Sequence, residues 1–403
     1  MELVIEEGGR ATAERRFEIV ERKGLGHPDS MCDSIMEAAA RTLANEYLEH
    51  FGQVQHFNLD KALLASGKSS PRFGGGTVDE PMRFVFGDRA MSDVAGHRIP
   101  VADLVEETAR AWFKTHLRFV DPEKHVVFQS ELGEGSAELV SLYDADAPRA
   151  PRANDTSIGV GVAPTTETER LVLETESFLN ANAFKNRFPE TGEDVKVMGV
   201  RQGRRLDLTV ALAFVDRFIA DEAAYFGKKR EVEDELAAHL RSRLEQLDPL
   251  AIRINTLDSP GRGADGAYLT VTGTSAESAD SGEVGRGNRL LGFTSVTRPA
   301  SGEAVAGKNP LCHVGKIYNH LAQRAADRIA SLEAVAEAST FLVSQIGARL
   351  DEPQFVSVNL VLCPEAHLSD VRTDIETIFS QTLAEAPHFA TDWLRGTASQ
   401  FSP

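Results

Sequence analysis

The sequence predicts a mixed α/β (α+β) fold, and two observations carry that expectation. Segments with helical period alternate along the chain with short apolar, β-branched runs. The composition, 42% hydrophobic and 26% charged over 403 residues, is that of a globular chain. At roughly 100–200 residues per domain, this length suggests two to four domains. No apolar run approaches the ~20 residues of a membrane helix. The start, MELVIEEGGRATAERRFEIV, is too acidic for a signal peptide. A cytoplasmic protein without membrane contact is expected.

Taken in order, RFEIVER (16–22) reads as a strand leading into GLGHPDSMCDSI (24–35). Met31, Ile35, Ala39 and Leu43 recur every fourth residue, while Asp33, Glu37 and Arg41 occupy another face, so a helix begins here. Pro28 suits its first position, which puts His27 at the N-cap and Asp29 in the first turn. VQHFNLDKALLAS (54–66) is a strand region, and SGKSSPRFGGGTVDEP (66–81) is too rich in Gly and Pro for regular structure. MRFVFGDRA (82–90) is a strand, ADLVEETARAWFKTHL (102–117) a helix, and KHVVFQSEL (124–132) a strand. YDADAPRAPRANDTS (143–157) reads as a linker. TETERLVLETESFLNANAF (166–184) is helical, LDLTVALAFVD (206–216) a strand, and 220–247 a long helical region. AYLTVTGTS (267–275) has the composition of a strand. Val314, Ile317, Leu321, Ala325 and Ile329 mark a helix after CHVGK, and PQFVSVNLVLC (353–363) is a final strand. There is no short-period repeat.

Cys32, Cys312 and Cys363 lack any CxxC or Cys/His spacing, so neither a disulfide framework nor a zinc site is expected. A net charge of −18 argues against nucleic acid as a partner. It also makes local basic residues informative. SPRFGGG (70–76), LGEGSAEL (132–139), ANDTSIGVG (153–161), SADSGEVGRGNR (278–289) and VAGKNPLCHVGK (305–316) are Gly-rich or Asp-bearing, and none is a Walker or dinucleotide motif. Singly, each reads as a turn, a cap or a solvated face. Together they share one chemical theme: Asp29, Asp155 and Asp280 are suited to divalent metal, and Lys196, Arg286, Lys308 and Lys316 to phosphate.

GLGHPDSMCDSI, FGGG, ANDTSIGVG, DVKVMGVRQG, YLTVTGTSAE, VGRGNR and GKNPLCHVGKIYN, in this order, resemble the archaeal-type S-adenosylmethionine synthetases (methionine adenosyltransferases). The resemblance runs from about residue 16 to about residue 330. It implies attack of the methionine sulfur on C5′ of ATP, release of tripolyphosphate, and its cleavage to pyrophosphate and phosphate. ATP and L-methionine are the implied substrates, two Mg²⁺ per site the implied cofactors, and K⁺ a further one.

By this resemblance His27 sits beside the triphosphate and Asp29 is a magnesium ligand. Asp155 lies near methionine or the adenosyl group, and Lys196 contacts phosphate. Asp280 is a second metal or substrate carboxylate, Arg286 grips tripolyphosphate, and Lys308 acts on the same chain. His313 stands where the bacterial branch has a second lysine. Gly133, Gly135 and Ser136 fall in the ATP segment. Asp60 marks the K⁺-proximal strand, but FNLDK replaces the usual HNTDE and sets Lys61 beside that carboxylate. GFTSVTRPASGE (292–303) departs from LITPYRPMSME. These two departures motivate an alternative, a nucleotide transferase or tripolyphosphatase on the same scaffold using another nucleotide or thioether. A non-catalytic nucleotide-binding subunit is a further alternative.

The implied architecture is three interleaved α/β domains with approximate threefold pseudo-symmetry, their sheets packing across a homodimer or larger assembly. The expected pieces are 1–22 with 168–262, 23–130 with 263–315, and 131–167 with 316–403.

Overall fold

A computed structural model of the chain describes residues 3–94, 96–135 and 151–396. The mixed α/β architecture expected from the alternation is the one adopted. Three main sheets organise it, each packed against helices.

The first sheet runs β1 (Leu3–Glu7), β18 (Phe355–Leu362), β17 (Val335–Val343), β10 (Ile158–Ala163), with β1 parallel to β18 and the other pairs antiparallel. Helix α7 (Val314–Ala330) lies on β10 and β17. Two glycines permit this approach: a Cβ on Gly159 would fall 2.2 Å from Tyr318 C, and one on Gly161 2.3 Å from Ala322 C. The glycine run of ANDTSIGVG therefore serves helix packing.

The second sheet runs β13 (Leu250–Ile254), β12 (Arg205–Val215), β11 (Thr191–Gln202), β2 (Phe17–Lys23), β16 (Thr294–Ser295), with β14 (Leu269–Thr270) also paired to β12. Helix α4 (Glu167–Asn180) packs on β11 and β2, and α6 (Glu222–Arg241) packs on β13 and α4. Thr166 and Glu169 close a reciprocal capping box that starts α4.

The third sheet runs β15 (Gly282–Glu283), β3 (Phe57–Ala65), β6 (Met82–Ala90), β9 (Val126–Ser130), with α1 (Pro28–Phe51) on β3 and α2 (Val101–His116) on α1. β4 (Lys68–Ser70) pairs with β5 (Thr77–Glu80), and β7 (Asp93–Val94) with β8 (His97–Arg98). The short helices α3 (Pro122–His125) and α5 (Asn182–Arg187) follow α2 and α4. At the C-terminal side, α8 (Leu368–Ala384) presents Val371, Ile375, Phe379 and Leu383 to the core, and α9 (Phe389–Leu394) adds Phe389 and Trp393.

One hydrophobic core joins the first and third sheets with α1, α2, α7 and α8; a second lies between the second sheet, α4 and α6. The first 22 residues feed two sheets, β1 the first and β2 the second.

Two local expectations are corrected. The stretch 66–81 is not wholly irregular: it forms the β4–β5 hairpin, whose turn is held by Asp216 Oδ2 accepting the amides of Arg72 (3.2 Å) and Gly76 (2.7 Å). AYLTVTGTS is a strand only over Leu269–Thr270. Beyond it the Glu277 carboxylate takes the Val271 and Thr272 amides at 2.6–3.0 Å, standing in for a partner strand. The sequence pattern assigns no element to β1, β11, β17 or α8, which the chain forms. Of the linker 143–157, residues 143–150 lie outside the described residues. Among the described residues no helix is long and apolar enough to cross a membrane.

Candidate active site

Strand β2 delivers Lys23 to the turn that starts α1. His27 is the N-cap (φ −72°, ψ 136°), Pro28 takes the first helical position, and the Asp29 amide donates to His27 Nδ1 at 3.2 Å. Because Nδ1 accepts, the proton of the neutral ring is on Nε2, which faces Asp280 Oδ2 at 3.8 Å. Burial, together with the positive charges of Lys23 and Lys196, outweighs the Asp29 carboxylate and pushes the imidazole down to about 4. His27 is therefore a neutral Nε2–H donor at neutral pH.

β11 runs antiparallel to β2, with Lys196 opposite Lys23. Asp194, two residues before Lys196, lines the same cavity. Asp194 is buried and accepts from the Ser275 amide (2.8 Å) and hydroxyl (2.5 Å). Burial still lifts its carboxyl to about 6. Lys23 Nζ donates to Asp29 Oδ2 (2.8 Å) and to the Arg286 carbonyl (2.5 Å), while Lys196 pairs with Glu21 at 3.1 Å. The segment 283–288 is tied down by the Glu283 amide on Asp29 Oδ1 (2.9 Å) and by Asn288 bonded to the Lys23 backbone. Arg286 is exposed and makes no ion pair among the described residues.

Lys23, His27, Asp29, Lys196, Asp280 and Arg286 line a cavity of about 250 Å³. A larger one of about 610 Å³, lined also by Asp194, Asn255 and Tyr268, shares His27, Lys196 and Asp280 with it. Five of the sequence-derived candidates thus meet in one cleft.

The others lie elsewhere. Lys308 is buried, with Nζ 2.5 Å from Asp60 Oδ2 and 3.3 Å from Glu303 Oε2. Asp60 Oδ1 receives Lys61 Nζ (2.5 Å) and Asn58 Nδ2 (2.8 Å). Burial works to raise the Asp60 carboxyl, but the Lys308 charge and the hydrogen bonds from Lys308 and Lys61 hold it well below the usual carboxylate range. Its neighbour Asp88, half-buried beside another carboxylate, is lifted to about 6. Gly133 bonds the backbone on either side of Arg89, its amide to the Asp88 carbonyl and its carbonyl to the Ala90 amide, each at 2.9 Å. His313 caps α7, and burial, reinforced by Lys308, pushes it down to about 3. Asp155 is exposed in the loop before β10, and the adjacent Asn154 side chain accepts the Val314 amide at 3.2 Å. Gly135 ends the described segment, and Ser136 lies outside the described residues.

Among the described residues no group of three or more His, Cys, Asp or Glu side chains converges to hold a metal. Mg²⁺ bound with a nucleotide needs only one or two carboxylates, the rest being phosphate oxygens and water. The exposed Asp280 fits that demand, and Asp29, which lines the same cavity, fits it once metal displaces the Lys23 ammonium from Oδ2. A K⁺ ion at Asp60 fits poorly, because both carboxylate oxygens already receive an ammonium group. Lys23 and Asp194 line the cleft and were passed over by sequence reasoning. For Asp194 a signal existed, its two-residue spacing from Lys196. Lys23 owes its place to strand pairing.

Residues 3–397 match the family described as S-adenosylmethionine synthetase (AdoMet synthetase). The chain is 44% identical over 394 residues to the S-adenosylmethionine synthase of Pyrobaculum neutrophilum, covering 96% of this chain and 97% of that protein. It is 43% identical over 387 residues to the S-adenosylmethionine synthase of Pyrococcus furiosus, covering 95% of each. The fold is shared with an unusual S-adenosylmethionine synthetase from Campylobacter jejuni (TM-score 0.62, 18% identity, 96% of this chain and 95% of that one). The chain belongs to the S-adenosylmethionine synthetase family.

Proposed function

We propose that this chain forms S-adenosylmethionine from ATP and L-methionine and cleaves the tripolyphosphate it displaces to pyrophosphate and phosphate. The observation that carries the reading is the cleft at the start of α1. Lys23, Lys196 and Arg286 face it beside Asp29 and Asp280, with no phosphate-binding P-loop. Such a site suits a polyphosphate that leaves as a whole.

As sulfur attacks C5′, negative charge grows on the departing triphosphate. His27 is neutral and donates from Nε2 to a phosphate oxygen without giving up its proton. Lys23 and Lys196 are held by Asp29 and Glu21, so their charges are fixed before substrate arrives. Arg286 presents a planar fork suited to two phosphate oxygens at once. Mg²⁺ at Asp29 and Asp280 would neutralise phosphate charge as a Lewis acid. The alternatives, another nucleotide or thioether and a non-catalytic subunit, are not favoured by the family or its named relatives.

Purified protein with methionine, ATP and Mg²⁺ is expected to yield the sulfonium product, pyrophosphate and phosphate in equal amounts. ADP as the main nucleotide product would overturn this.

The same reading makes the chain a homodimer or larger assembly. Asp60, Lys308 and His313 form a group apart from the α1 cleft, and a second copy would bring such a group to face it. Each main sheet with its helices is then one of three interleaved units. Light scattering that found a fully active monomer would defeat this part.

A further inference from the structure

α1 carries Asp29, Asp33 and Glu37 at four-residue spacing, on one face of the helix. Each carboxylate accepts one backbone N–H from a downstream segment. Glu283 donates to Asp29 Oδ1 at 2.9 Å, Gly285 to Asp33 Oδ1 at 2.7 Å, and Gly307 to Glu37 Oε2 at 3.0 Å. The two glycines have φ of +87° and +72°, which only glycine adopts without strain, and each directly precedes a cation, Arg286 or Lys308. Asp33 Oδ2 rests against the same loop: a Cβ on Gly287 would fall 2.2 Å from it. Glu37 also receives Lys316 Nζ (2.7 and 2.8 Å) and Trp393 Nε1 (3.0 Å).

Helix-end electrostatics does not account for this face. The dipole acts within the first turn, and Asp33 and Glu37 stand in the second and third. Asp33 is 1% exposed, and a carboxylate in such a place is costly unless its bonds are needed. We propose that Asp33 and Glu37 are positioning residues that fix the loops bearing Arg286 and Lys308 to α1, so that one rigid helix sets both cations. What the cations act on rests on the function proposed above; the carboxylate-to-loop bonds do not.

The test uses Asp33→Ala, which removes the acceptor, and Asp33→Asn, which keeps an Oδ1. In Asp33→Ala, turnover at the tripolyphosphate step is expected to fall about 10–10²-fold, the scale of a small misplacement of a reacting group. Asp33→Asn should restore most of it. Added to Arg286→Leu, Asp33→Ala should cost little more, because the group it positions is gone. In the ligand-free protein, amide exchange over 283–289 should quicken in Asp33→Ala but not in Asp33→Asn, with 305–309 unchanged. Glu37→Ala should quicken 305–309 instead. If Asp33→Ala does not fold, Gly287→Ala displaces the loop from its other side and must show the same step-selective loss. Unchanged exchange and rate in these variants, or losses that multiply in the double variant, would overturn the proposal. A parent enzyme that forms no sulfonium product would sink the functional reading, while the exchange data still decide the positioning role.

Discussion

Two helix starts in this molecule are built alike and do different things. α1 begins with His27 and α7 with His313. In both, the histidine is the N-cap and its Nδ1 accepts the amide two residues on, at 3.2 Å. They part at the second helical position. α1 has Asp29 there, lining an open cavity with Lys196 and Arg286. α7 has Gly315, and a Cβ at that point would fall 2.8 Å from both Lys308 Cε and Glu303 Oε2. The glycine gives Lys308 its space, and Lys308 satisfies Asp60 inside the protein. The cap fixes where a helix starts; the residue after it, and what packs across it, decides whether the end meets a ligand or a neighbouring chain segment.

The largest expected effect breaks the α1 side of this comparison. Asp29→Asn keeps the size and removes the charge, so Mg²⁺-dependent turnover should fall by at least ~10²-fold, the scale of losing one charge-stabilising group, while circular dichroism stays that of the parent. If the variant matched the parent at limiting Mg²⁺, Asp29 would be a helix-end residue like any other. Next comes Arg286→Leu, expected to slow tripolyphosphate hydrolysis more than adenosyl transfer, by ~10²-fold. Single-turnover quenching should show the sulfonium product forming while tripolyphosphate accumulates. Equal slowing of both steps would assign Arg286 to general binding.

Gly315→Asp gives α7 the residue of α1. With Lys308 and Glu303 already in that space, the change should create no new metal dependence and should destabilise the fold by about 1–3 kcal/mol, read by urea titration. A neutral effect would mean the packing across α7 is looser than these distances indicate.

The smallest effect concerns acid. His320, also on α7, is pushed down to about 3 by burial, with Lys316 and Arg324 adding to it, and His313 behaves likewise. Their folded values lie below the unfolded value of 6.5, so the unfolded chain binds more protons between pH 6.5 and 3. Stability contributed by keeping them neutral is therefore lost as pH falls through that window. His320→Gln should flatten the decline of Tm between pH 6.5 and 4, and an unchanged slope would remove His320 as a source of acid sensitivity.

Much of this was legible in the sequence, and the particular residues show why. Pro28 after a histidine and before a four-residue apolar repeat is a local signal, and helix starts are set by local backbone bonds. The α1 cleft was legible as well, since His27, Asp29, Lys196 and Arg286 lie in motifs that the family resemblance gathers and Asp280 lies between two of them. β17 was not, because VAEASTFLV shows no clean alternation and is a strand through pairing with β10 and β18. AYLTVTGTS misled in the opposite direction: its β-rich composition was real, but the Glu277 carboxylate captured the backbone that a strand partner would have used.

The sequence by itself determined the alternation of elements, the capped start of α1, the acidic balance and the family. Each of these depends on residues within a few turns of one another or on motif order along the chain. Only the tertiary structure decided that Asp60 would be spent on Lys61 and Lys308, and that Asp194 and Lys23 would join the cleft. It also decided that the second and third turns of α1 would hold the segments carrying Arg286 and Lys308. Those outcomes join residues up to 270 positions apart. Whether a carboxylate meets metal, ammonium or a backbone amide is set by what the fold brings within about 3 Å of it, a distance no local pattern encodes.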